Sequence, residues 1–218
     1  MRRLSTIGLM ALIIAFAFIT PIYAKFSISF LSGRFTSVCS WESTDKAYTS
    51  FTVTIINQLV YNESAGDTDF AQISLSNSSD YSTQKSIDIK FFKDGTFQVW
   101  LSSCGSCYQI GYGSWSSDEP LVVSLDSSNI LNVGNSTHPD AYMEDFGIGV
   151  WEGGLKYIGA YGSQADASNV VTGGYVTVEV NPYQYQATSL IEQITPILVL
   201  AISLSIVGAV IGKITKKL

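Results

Sequence analysis

Histidine occurs once in the 218 residues, cysteine three times, and basic side chains are scarce outside the two ends of the chain. Each shortage excludes something. With His138 as the sole imidazole, a Ser-His-Asp hydrolase has one possible base, and no Gly-x-Ser-x-Gly turn accompanies it. No glycine loop that could cradle a phosphate follows a strand and opens a helix. Three cysteines allow one bridge and leave one thiol. Of 12 Lys and Arg, two lie in the first three residues and three follow the last apolar run. The middle keeps seven against all 18 Asp and Glu, a net of −11. Such an excess repels phosphate backbones, so nucleic acid is excluded as a partner and a cationic or uncharged one is expected.

Long apolar runs are present, at the two ends. Between Pro196 and Gly212 there is no Asp, Glu, Lys, Arg, Asn or Gln, and Lys213, Lys216 and Lys217 close the run. Residues 194–214 as a helix would span roughly 30 Å, the thickness of a hydrocarbon core. This predicts a single transmembrane helix. Arg2 and Arg3 precede the apolar run Ile7 to Ile19, and Thr20-Pro21 leads to Ala24, the layout of a secretory signal cleaved after Ala24. An uncleaved anchor is the alternative. Both basic ends mark the cytoplasmic side, so the middle faces outward. The expected order is a signal peptide at 1–24, an extracellular β domain at 25–182 and a juxtamembrane junction at 183–193. The transmembrane helix at 194–214 and a cytoplasmic tail at 215–218 complete it. Ser189 to Glu192 fits a capping box that starts the helix, and Tyr183 and Tyr185 suit the headgroup boundary. Gly208 and Gly212 form a small-xxx-small pair, through which two anchors could associate.

From Phe26 onward, short β-branched and aromatic runs alternate with Gly, Asn, Asp and Ser clusters, without a helical period before Ser189. The class is all-β. An antiparallel β-sandwich is favoured over a small β-barrel, because about ten short strands are separated by polar turns. Expected strands are Phe26 to Leu31, Arg34 to Val38, Tyr48 to Tyr61, Phe70 to Leu75, Ser86 to Phe92, Thr96 to Leu101, Tyr108 to Tyr112, Leu121 to Leu125, Phe146 to Trp151, Leu155 to Tyr161 and Val170 to Val180. Phe51, Val53 and Ile55 share a core-facing side, as do Ile87, Ile89 and Phe91. Asp94-Gly95 predicts a tight primed turn, Gly153-Gly154 a second hairpin, and Asn132 to Asp145 a long loop.

Several residues could carry function. Cys104-Gly-Ser-Cys107 with Cys39 predicts a structural disulfide, whose pairing is open between Cys104–Cys107, Cys39–Cys104 and Cys39–Cys107. A redox role suits the motif poorly, since it lies among strands and not at a helix start. Zinc on the three cysteines and His138 has the right count without the spacing, and His138, Asp140, Glu144 and Asp145 lack a full metal-loop pattern. No cofactor is implied. Asn62, Asn77 and Asn135 head N-x-S/T triplets and are candidate glycosylation sites. Tyr112, Trp115, Tyr142 and Trp151, with Tyr157 and Tyr161, stand near glycines and could form a platform for a glycan or another surface protein, or could be core.

The expectation from these features is a membrane-anchored surface glycoprotein of a cell surface or viral envelope, with a non-catalytic structural, envelope or adhesion role. The membrane, self-association through the anchor, another surface protein and a glycan are the expected partners. A membrane-tethered protein that binds a carbohydrate or small ligand is the runner-up. An extracellular hydrolase, whose paired carboxylates only the fold could assemble, comes third.

Overall fold

A computed structural model describes residues 25–80, 82–103, 106–139, 141–145 and 153–182, the side chains of 142–145 excepted. The expected signal peptide, junction, transmembrane helix and tail lie outside the described residues, as does the expected strand from Phe146 to Trp151. Among the described residues no helix is long and apolar enough to cross a membrane.

The strands are β1 (Phe26–Leu31), β2 (Ser40–Tyr48), β3 (Phe51–Asn57), β4 (Val60–Tyr61), β5 (Phe70–Ser76), β6 (Lys85–Phe92), β7 (Thr96–Ser103), β8 (Ser106–Ser114), β9 (Leu121–Leu125), β10 (Ile130–Gly134), β11 (Tyr142–Asp145), β12 (Leu155–Gly162), β13 (Val171–Gly173) and β14 (Tyr175–Pro182). They form two six-stranded antiparallel sheets, ordered β1-β14-β3-β9-β10-β11 and β2-β12-β5-β6-β7-β8, with β13 and β4 as a small third pair. The result is an antiparallel β-sandwich with open sheet edges, not a closed barrel.

Alternation explains how the layers meet. Phe51, Val53 and Ile55 of β3 are at most 1% exposed, with Thr52, Thr54 and Ile56 on the opposite side. Ile73 and Leu75 of β5, Ile87 and Ile89 of β6 and Phe97 and Val99 of β7 complete the same core from the second sheet. Each such side chain contributes about 1.5–3 kcal/mol on leaving water.

Several boundaries differ from expectation, each for a local reason. Strand β2 was not expected, because Ser40-Trp-Glu-Ser-Thr-Asp-Lys-Ala-Tyr48 is polar. It is the edge of its sheet and needs little apolar alternation. Arg34 to Val38 is no strand: a 3-10 turn at Ser32–Arg34 drops the buried Phe35 into the core. Tyr48 to Tyr61 divides into the end of β2, β3 and β4, and Val170 to Val180 divides at Gly174. Asn132 to Asp145 is not one long loop, since β10 and β11 pair within it. The turn at Asp94-Gly95 is not a two-residue primed turn: Lys93 to Gly95 form a three-residue connection in which Gly95 alone has positive φ, +82°.

Gly174 adopts φ +83°, and a Cβ there would stand 2.1 Å from the Gln58 carbonyl oxygen. Gly174→Ala should therefore cost at least about 2 kcal/mol in urea unfolding. Gly33→Ala, with nothing within 4 Å of its Cβ position, should stay within about 0.5 kcal/mol of the parent.

Candidate functional site

The outward positions of β5, β6 and β7 build a polar floor on the second sheet. Cross-strand register places Ser74 beside Asp88 and Asp88 beside Trp100, with Ser86 next to Ser102 and Ser102 next to Cys107. Inward neighbours such as Ile87 and Ile89 bind this row to the core, so its backbone is held from both sides. Above it opens a cleft of about 500 Å³. Trp41 and Tyr161 line one side and Ser106 and Cys107 the other, while Ser37, Val38, Ser79 and Gln84 contribute from adjoining segments.

Gly159 sets the position of the tryptophan. A Cβ on Gly159 would come within 2.7 Å of the Trp41 ring and 2.6 Å of the Cys39 sulfur, so both side chains lie against bare backbone. This is the close approach that a glycine inside a strand signals.

Asp88 is the unusual member of the floor. It is 5% exposed, and its Oδ2 accepts a short hydrogen bond from the Ser102 hydroxyl. Its Oδ1 is buried without a hydrogen-bond partner among the described residues. The Ser74 and Ser86 hydroxyls stand close enough to favour the charged form, yet neither completes a hydrogen bond to Oδ1. Gln72 Nε2 donates to Ser74 Oγ at 2.8 Å and Gln84 Nε2 to Ser86 Oγ at 3.1 Å. Burial dominates these influences and pushes the Asp88 carboxyl above its ordinary range. Two residues along β6, the Lys90 ammonium sits 3.9 Å from the Trp100 ring centroid and 4.6 Å from that of Phe70.

The residues singled out from sequence fall in several places. Cys39 and Cys107 line this same cleft as free thiols, and Cys104 lies outside the described residues. Burial, and then the negative charge of Asp88, push the Cys39 thiol up to about 12. Among the described residues no group of three or more His, Cys, Asp and Glu side chains could hold a metal. Asp140 and the side chains of Glu144 and Asp145 are outside the described set.

His138 is elsewhere, with Nε2 2.9 Å from the Ser114 hydroxyl. Glu119 does not orient it: that carboxylate accepts hydrogen bonds from Ser136 and from the Thr137 amide and hydroxyl, which hold it below its usual range. Trp115 is turned inward against Tyr61 and Phe91 and donates Nε1 to the Phe92 carbonyl. Tyr112 is 74% exposed on β8, while the Tyr142 side chain and Trp151 are not among the described groups.

Of the sequon asparagines, Asn135 is buried, donating from Nδ2 to the Ser114 carbonyl at 2.7 Å and accepting from the His138 amide. Asn62 is half-buried and donates to the Ser168 carbonyl, and Asn77 is half-buried with Oδ1 on the Lys85 amide. Gly208 and Gly212 lie outside the described residues. Sequence reading passed over Trp41, Ser74, Asp88 and Ser102. The available signal was Ile87-Asp88-Ile89, an acid between two core positions of a strand.

Two outcomes follow from the cleft. A carboxyl whose folded pKa is raised holds its proton when the unfolded chain has lost it. Stability therefore falls as pH rises from about 4, the unfolded value, through Asp88's folded value. Asp88→Asn should remove that fall, seen in the difference between the two proteins' melting temperatures across this range. Carboxylates with lowered values, such as Asp69 and Asp94, act in the opposite direction in both proteins and cancel in the difference. In reduced, folded protein at pH 8, iodoacetamide should label the exposed Cys107 well before Cys39, as read by mass spectrometry.

No protein-family model matches the chain, and no curated protein does. Solved structures are similar at low identity. The Emp47p carbohydrate recognition domain aligns over 75% of this chain and 90% of its own at 10% identity, TM-score 0.49. Sheep galectin-11, in complex with glycerol, aligns over 63% of this chain and 96% of its own at 12% identity, TM-score 0.41. Fructofuranosidase from Schwanniomyces occidentalis, complexed with fructose, aligns over 71% of this chain at 15% identity, TM-score 0.43. The chain spans 33% of that last protein's length.

Proposed function

We propose that the β domain is a non-catalytic binding module for a carbohydrate or another small neutral ligand, held in the cleft over β5, β6 and β7. The apolar run at 194–214 would display it outside a membrane. The observation that carries this reading is the cleft: about 500 Å³, with Trp41 and Tyr161 beside the Ser74, Asp88 and Ser102 floor. A volume of this order, part aromatic and part polar, suits a small ligand. A sugar ring offers a C–H face to an aromatic side chain and hydroxyls to a polar floor.

Sequence alone ranks a structural or envelope role first. The cleft reverses that order, and adhesion then becomes recognition of a glycan on an opposing surface. Hydrolysis has weaker support, because Asp88 is the one carboxylate among the described lining residues. A glycosidase needs two, about 5–10 Å apart. Ser114 and His138 form a pair without a described carboxylate behind the imidazole.

The test is a glycan array probed with the full-length protein in lipid nanodiscs, followed by titration of the hits. At least one glycan should bind saturably, with no turnover. Trp41→Ala should weaken it about tenfold or more, the scale of a lost aromatic contact. Turnover abolished by Asp88→Asn would instead establish a hydrolase.

A further inference from the structure

An acceptor atom buried without a partner costs stability, about 1–3 kcal/mol and more if charged, and a fold has no structural reason to keep one on a central strand. Asp88 Oδ1 is such an atom, and it belongs to a residue that lines the cleft. Its neighbours define what it lacks. Ser102 already supplies the hydrogen bond to Oδ2. Ser74 and Ser86 each receive a hydrogen bond from a glutamine and stand near the carboxyl group, yet neither gives Oδ1 a hydrogen bond. What remains unfilled is a donor to Oδ1, an atom of a residue that lines the cleft.

Resting on the reading of the cleft as a binding site, we propose that Asp88 is its specificity-determining residue. It accepts a hydrogen bond at Oδ1 from one hydroxyl of a neutral sugar ring whose C–H face lies against Trp41. A hydroxyl is favoured over an ammonium group for two reasons. Lys90, two residues along β6, already places a positive charge near the carboxylate, and a cationic ligand would face it. The other floor and rim groups, Ser74, Ser102, Gln72 and Gln84, are neutral and suit hydroxyl partners. In the ligand-free chain Oδ1 is buried, so binding requires a neighbouring side chain at the cleft to turn about its Cα–Cβ bond, a rotamer change open to a small residue such as Ser74.

Asparagine at this position makes a sharp test. Because Ser102 donates to one oxygen, an amide would be oriented with its Nδ2 at the Oδ1 position, replacing an acceptor by a donor of equal shape. The probes are methyl glycosides of glucose, galactose and mannose, their analogues with one hydroxyl at a time replaced by fluorine, and the matching 2-amino sugars. Saturation-transfer NMR on the full-length protein in nanodiscs gives the affinities, with melting temperature as the check on folding. In the parent, fluorine at one position should weaken binding about tenfold, since fluorine cannot donate. In Asp88→Asn that penalty should vanish, and the amino sugars should bind no better than their hydroxyl counterparts to the parent. An unchanged fluorine penalty in Asp88→Asn, or tighter binding of an amino sugar by the parent, overturns the role of Asp88 while leaving the cleft a binding site. Absence of binding by every sugar, or binding indifferent to Trp41→Ala, overturns both.

Discussion

The two-residue period of β5, β6 and β7 is the constraint on which the rest depends. On one side it sends Ile73, Leu75, Ile87, Ile89, Phe97 and Val99 into a shared core. On the other it must then place Ser74, Asp88, Ser102 and Trp100 together, because antiparallel register aligns like-facing positions across neighbouring strands. A slip of one residue in any of the three would move the polar row into the core and the isoleucines into the cleft. Core and site are thus two faces of one pattern.

That coupling explains how a costly group is tolerated. Asp88 lies on a strand paired on both sides and backed by some of the least exposed residues of the chain, so the sheet cannot move to hydrate it. The Ser102 hydrogen bond and the nearby Ser74 and Ser86 hydroxyls offset part of the burial, and Oδ1 remains unsatisfied. Buried polar groups with a missing partner call for a specific account, and the proposed ligand donor is one that would also account for the aromatic wall above. The wall depends on the fold just as closely: Trp41 comes from an edge strand and is seated on Gly159 of β12.

Chemistry elsewhere is committed to structure. Trp115, close to glycines in sequence, closes one end of the core against Tyr61 and Phe91. Asn135, His138, Ser114, Ser136, Thr137 and Glu119 tie the β10–β11 connection to the end of β8 and the turn after it, each with a partner within the group. The thiols show the same division. Cys39 is half-buried and kept protonated, and Cys107 is exposed on the far side of the same cleft.

By itself the sequence determined what local chemistry determines: the all-β class, the inward faces of β3 and β6, the positions of β1 and β9, and the need for glycine at Gly95. Each follows from alternation or φ preference within a few residues. Expectations about the ends of the chain rest likewise on apolar length and flanking charge. Strand β2 was not legible, because an edge strand carries no apolar period, and the turn at Lys93 to Gly95 took its type from the pairing of β6 with β7. The cleft was decided only by tertiary structure. Trp41, Ser74, Asp88 and Ser102 are spread over 62 positions of the chain, and no local preference brings them together. Strand order and register do, since they are set by burial of the opposite face, which is a property of the whole sandwich.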